Sequence, residues 1–92
     1  MRRVYKYTMQ LDSIEATIPL PKNSRVLRAD VNPSDHKQLA IWALIDPHTE
    51  EVEYRHFVIC STGFDDIPDR FSYIDTFIMH PFVFHVFEEV NG

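Results

Sequence analysis

Apolar and polar positions alternate through most of this chain, interrupted at short intervals by proline, asparagine and aspartate. In the opening segment Tyr5, Tyr7, Met9 and Leu11 fall on one face, with Lys6, Thr8 and Gln10 on the other, the period-two signature of a half-buried strand. Asp12-Ser13 supplies a turn. A second alternation follows, with Ile14, Ala16, Ile18 and Leu20 set against Glu15 and Thr17, and the two runs are expected to pair as an opening hairpin. Pro19 and Pro21 end it, because neither can donate to a sheet ladder.

Lys22-Asn23-Ser24 reads as a turn into a third strand, RVLRADV. Leu27, Ala29 and Val31 are expected to face inward and Arg28 and Asp30 outward. Asn32-Pro33-Ser34-Asp35 then breaks the chain. The run LAIWALID over residues 39–46 is apolar on both faces. Leu39, Trp42 and Ala43 have helical spacing, and Ser34 or Asp35 would cap a helix there. A short strand buried on both faces and stopped at Asp46-Pro47 fits the run equally well. In EVEYRHFVIC the alternation gives way to continuous apolarity from Phe57 to Cys60, the pattern of a strand that leaves an edge and enters the core, with a bulge expected near His56.

The last quarter holds six of the twelve aromatics, Phe71, Tyr73, Phe77, Phe82, Phe84 and Phe87, split by His80-Pro81. Two runs rich in aromatic and β-branched residues around a proline predict a closing hairpin, FSYIDTF against FVFHVFE, as the hydrophobic centre, with Phe82 and Phe84 in the core. The whole, residues 1–92, is expected to be a single all-β domain. It would be a compact antiparallel sandwich or barrel of six to seven short strands, with little or no helix.

Composition narrows the function classes. The 45% apolar and 25% charged content is that of a globular chain, and small β domains often compensate for a slim stability margin by self-association, so a homo-oligomer is expected. The net charge of −5 is unevenly spread. Residues 1–30 carry six basic and three acidic residues, and residues 31–92 carry three and eleven. Without a concentrated positive patch, general binding to duplex nucleic acid is disfavoured. Cys60 is the lone cysteine, read as a buried small hydrophobe in a reducing compartment. The first residues lack the apolar core of a signal peptide, and every hydrophobic run is too short to cross a bilayer, so a cytoplasmic, membrane-free protein is expected.

The runs VYKYTMQLDSIEATIPLPKNSRVLRADV, WALIDP, FVICSTGFDDIPD, YIDTF and FVFHVFEE, in this order, resemble the DUF7352 family, small proteins common in bacteriophage and mobile-element genomes. The resemblance spans nearly the whole chain. It implies an all-β phage or prophage accessory protein and attaches no activity. Where that family's loop often reads GTGH, this chain has Ser61-Thr62-Gly63-Phe64, so polar chemistry is not carried over to this loop.

Candidate chemistry is sparse. The five histidines show no metal-ligand spacing, although His80 and His85 flank the closing turn and His56 lies on a neighbouring strand. Ser61, Thr62 and Cys60 lack a glycine-rich elbow, so no catalytic residue, metal or cofactor is expected. The acidic loop at Asp65 and Asp66, with Phe64, is a candidate partner surface. Arg3, Tyr5, Arg25 and Arg28 are the better lead. Arginines and tyrosines near a subunit seam would hold the phosphates and stack on the base of a small nucleotide, although Arg25 and Arg28, three apart, are expected on opposite faces. The genomic setting that the resemblance implies, which these features merely permit, suggests a non-catalytic binding protein of counter-defence type, which either inhibits a host immune protein or sequesters a signalling nucleotide. The alternatives are a phage structural or assembly factor and a small metal-dependent or hydrolytic enzyme.

Overall fold

Seven strands account for nearly every alternating run in a computed structural model that describes residues 1–63 and 65–90. They are β1 (Arg3–Gln10), β2 (Glu15–Pro21), β3 (Arg25–Val31), β4 (Gln38–Ile45), β5 (Val52–Ser61), β6 (Phe71–Met79) and β7 (Phe82–Glu89). All pairings are antiparallel, in a three-stranded sheet ordered β1-β4-β3 and a four-stranded sheet ordered β2-β5-β7-β6. No helix occurs among the described residues, and the LAIWALI run is strand β4. The all-β reading holds.

The expected opening hairpin does not form. β1 pairs with β4 and β2 with β5, so the turn after Gln10 carries the chain from one sheet to the other. A two-stranded ribbon alone is marginal in water. Each strand gains more by laying its apolar face into a shared interior beside a partner that is itself packed there. Ile14, expected to face inward, belongs to this crossing and is exposed.

The interior lies between the sheets. Met9, Ala29, Leu39 and Ile41 come from the three-stranded side, and Ile18, Leu20, Phe57, Phe77 and Val86 from the other. β4 is the most enclosed strand, with Leu39, Ala40, Ile41 and Ala43 fully buried. It, and not the closing hairpin, is the centre of the fold. The hairpin does form, with Phe77 opposite Phe84. Its last rows, however, run past the final β5 pairing of Ser61 with Phe84, and there Phe82 is 64% exposed while Phe84 is only partly buried. Phe82 is therefore not a core residue, because β6 flanks it on one side only and β5 does not reach it on the other.

Pairing of β5 is continuous through His56, so the bulge expected there is absent. The register shifts fall on the edge strands instead, between Val26 and Arg28 in β3 and between Tyr73 and Asp75 in β6. An edge strand has one neighbour to satisfy and accepts an extra residue where a doubly paired strand would lose ladders on both sides. The bulge turns Leu27 out to 47% exposure, contrary to its expected inward face.

At one end a part-buried ion pair links β5 to β7 within the four-stranded sheet, and its arginine also reaches the turn before β3. Arg55 Nε donates to Glu88 Oε2 (2.5 Å) and Nη2 to Oε1 (2.9 Å), while Nη1 donates to the backbone carbonyl of Ser24. No described helix is long and apolar enough to cross a membrane.

Candidate functional site

The β3 bulge changes which residues act together. Arg25 lies opposite Leu44 and Arg28 opposite Trp42, two residues apart on β4, so both arginines share the outer face of the three-stranded sheet. Regular pairing would have set the two on opposite faces, as their spacing predicts. One extra residue restores the shared face.

Lys6 is the other neighbour of Trp42, which gives a cross-strand row Lys6–Trp42–Arg28. The next row is Val4–Leu44–Arg25. Trp42 is half-buried in the middle strand, while all three cations are exposed. Arg28 Nη2 donates to Asp30 Oδ2 at 2.7 Å, and Lys6 Nζ to Asn32 Oδ1 at 3.1 Å. Arg25 forms no ion pair among the described residues. It lines a shallow depression of about 260 Å³ with Arg2, Lys22, Asn23, Leu44 and Asp46. Asp46 is held below the usual carboxylate range, chiefly by the backbone N–H of His48 (2.9 Å), with the amino terminus and His48 adding favourable charge against a burial effect that raises it. The depression thus contains three cationic side chains and one firmly ionised carboxylate, and Lys22 is also bound to Glu51 (3.0 Å).

The other sequence-based candidates do not converge here. Arg3 and Tyr5 share a face as expected, but it is the inner-facing one, opposite Ile45 and Ala43, and they are exposed near the strand's start. Asp65 accepts the Ser61 N–H at 2.8 Å and so shapes its own loop. Asp65, Asp66, Ile67 and Pro68 lie beside Val58 and Cys60 of the four-stranded sheet, away from Arg25 and Arg28. Phe64 lies outside the described residues.

Two of the five histidines, His85 and His56, are engaged locally. His85 Nε2 meets Thr62 Oγ1 at 2.7 Å and Nδ1 meets Thr76 Oγ1 at 2.9 Å, while Tyr73 Oη lies 2.7 Å from the same Thr76 oxygen. Thr62 also donates to the Val83 carbonyl (3.1 Å), so its single proton is committed and it accepts from His85 Nε2. In the neutral ring Nδ1 then accepts from Thr76, which accepts from Tyr73. The protons along this outer-face chain all point one way. His56 Nδ1 meets Thr17 Oγ1 at 3.1 Å. No metal-holding cluster of three occurs among the described residues. Cys60 is buried, and burial followed by the charge of Asp65 pushes its thiol up, which disfavours a thiolate nucleophile.

Sequence reasoning missed Lys6 and Trp42 as partners of the arginines. Strand alternation already placed Lys6 outward, but the pairing of β1 with β4 was the necessary link. These features define a small two-sheet β-sandwich with a basic, tryptophan-centred outer face. The chain belongs to the DUF7352 family, a domain of unknown function, whose profile covers residues 1–92. No match was found among curated proteins or among solved structures.

Proposed function

We propose that this protein works by binding and not by catalysis, and that its ligand is a phosphate-bearing nucleotide held on the outer face of the three-stranded sheet. The row Lys6–Trp42–Arg28, with Arg25 one row away, carries this reading. An indole accepts a stacked base, and the cations around it supply charge-assisted bonds to phosphate oxygens. Few cations are present and two have internal partners, which suits a small ligand better than a duplex. In the phage setting that the family resemblance implies, such a protein would sequester a signalling nucleotide in the host cytoplasm.

Trp42 is the chain's single tryptophan, so its fluorescence reports directly on the site. Titration with cyclic mononucleotides, cyclic dinucleotides and ADP-ribose should quench or shift that emission for at least one compound and raise the melting temperature. Arg25→Ala and Arg28→Ala should each weaken the response. If no compound changes either signal, the nucleotide reading fails.

A second reading rests on the closing hairpin, where Ile78 (66%) and Phe82 (64%) stand exposed beside Val83 and Met79. An apolar tip of this kind suits occlusion of a host protein. Co-purification of one bacterial protein, lost on Phe82→Ser, would support it.

A further inference from the structure

Two sheets have four outer edges, and three of these are blunted by devices that can be followed residue by residue. In β2, Ile59 N–H bonds the Ile14 carbonyl (2.7 Å) and Lys22 N–H the Glu51 carbonyl (2.9 Å), so even-numbered residues face β5. Odd-numbered residues then direct their backbone outward, and two of them, Pro19 and Pro21, have no N–H to offer. In β3 the outward N–H groups of Ala29 and Val31 are taken by the carboxylates of Asp75 (2.9 Å) and Asp30 (2.7 Å). In β6 the Thr76 N–H is taken by Asp75 (2.8 Å), and the strand is bulged.

β1 has no such device. Leu11 N–H bonds the Lys37 carbonyl at 2.9 Å, so odd-numbered residues of this strand face β4. Val4, Lys6 and Thr8 point their N–H and C=O groups outward, and none has a partner among the described residues.

We propose that this edge pairs with the same edge of a second copy, antiparallel about a two-fold axis at Tyr7, to give a continuous six-stranded sheet. Near-complete overlap of Arg3–Gln10 with its copy puts the axis at Lys6 or Tyr7, and two constraints then fix the register. Outer faces must match, so even positions meet even ones and odd meet odd. Centring on Lys6 would set two ammonium groups directly opposite, which is unfavourable. Centring on Tyr7 sets Lys6 opposite the partner's Thr8, Val4 opposite the partner's Gln10 and Tyr5 opposite the partner's Met9. Val4 and Tyr5, 54% and 42% exposed, are then covered. The Lys6–Thr8 pairs exchange backbone hydrogen bonds, and the two Tyr7 residues form the close, non-bonded pair on the axis.

Sedimentation equilibrium over a wide concentration range should show a monomer–dimer equilibrium. Thr8→Lys places like charges opposite each other twice per dimer and should weaken association about ten-fold at low salt, whereas Thr8→Glu should strengthen it comparably. Thr8 is exposed, so unchanged circular dichroism melts under dilute, monomeric conditions would show that the fold is intact. In a Cys60→Ser background, Tyr7→Cys should oxidise to a covalent dimer, because Cα atoms of a close pair lie about 4.5 Å apart. Lys6→Cys in the same background should not. A chain monomeric at every concentration would overturn the proposal and leave the edge to a foreign strand. A dimer indifferent to both Thr8 variants would overturn it as well.

Discussion

Asp75 on β6 accepts the backbone N–H of Ala29 on β3 at 2.9 Å, and its second oxygen accepts the Thr76 N–H at 2.8 Å. One carboxylate thus satisfies outward donors on the edge strands of both sheets and stitches the sandwich along that side. Asp75→Ala leaves Ala29 N–H unpaired where Ala29 is fully buried. The expected loss is about 1–3 kcal/mol, with a smaller loss for Asp75→Asn, which keeps one acceptor. Urea unfolding measures the total, and faster amide exchange at Ala29 and Thr76 locates it. Equal stability of all three proteins would contradict the role.

The Arg55–Glu88 pair links β5 to β7 at one end of the four-stranded sheet, with side-chain exposures of 18% and 13%. Removing one partner strands the other's charge in a partly dry site. Glu88→Met or Arg55→Met should each cost about 2 kcal/mol, below the loss for a fully buried pair because solvent still reaches this one. The double variant should cost less than the two singles together, and a double-mutant cycle reads that coupling.

Two phenylalanines of the closing hairpin should behave oppositely. Phe77 is 2% exposed and its ring stacks on Phe84 at 5.5 Å between centroids, whereas Phe82 is 64% exposed. Phe77→Ala should cost about 3–5 kcal/mol, enough to unfold a marginal domain. Phe82→Ala should change stability by about 0.5 kcal/mol or less, as for a surface site. Thermal melts of both variants distinguish a core position from a projecting tip.

Cys60 offers a pH-dependent test. Its thiol is held above the ordinary value, first by burial and then by Asp65. A folded-state value above the unfolded one means that this stabilising contribution is complete below the free-thiol range and is lost as pH rises through the folded value. Alkylation should therefore be slow at neutral pH and quicken on unfolding. Asp65→Asn should speed it, and Cys60→Ser should remove its part of the alkaline loss of stability. Rapid labelling of the native wild type would refute the burial argument.

Most strands were legible because alternation is a local property: one face meets hydrocarbon and the other water, whatever the partner. That sufficed for β1, β3, much of β5 and the closing hairpin, whereas β4, apolar on both faces, left helix and strand both open. Alternation also placed Lys6 and Arg28 outward individually. The site was less legible. Arg25 and Arg28 were read as divided because three residues of regular strand reverse a side chain's direction, and no local signal announced the extra residue at Leu27.

Composition and spacing along the chain were enough to establish an all-β domain and the place of most of its strands, since a pleated strand sorts its own residues by polarity. Which strand lies beside which was settled only in three dimensions, because β1 and β2 separate into different sheets to share one interior. The same packing gathered Lys6, Trp42, Arg25 and Arg28 on one surface, left Phe82 in solvent and kept the β1 edge unpaired. Neighbour identity depends on how whole sheets exclude water together, and no single segment carries that information.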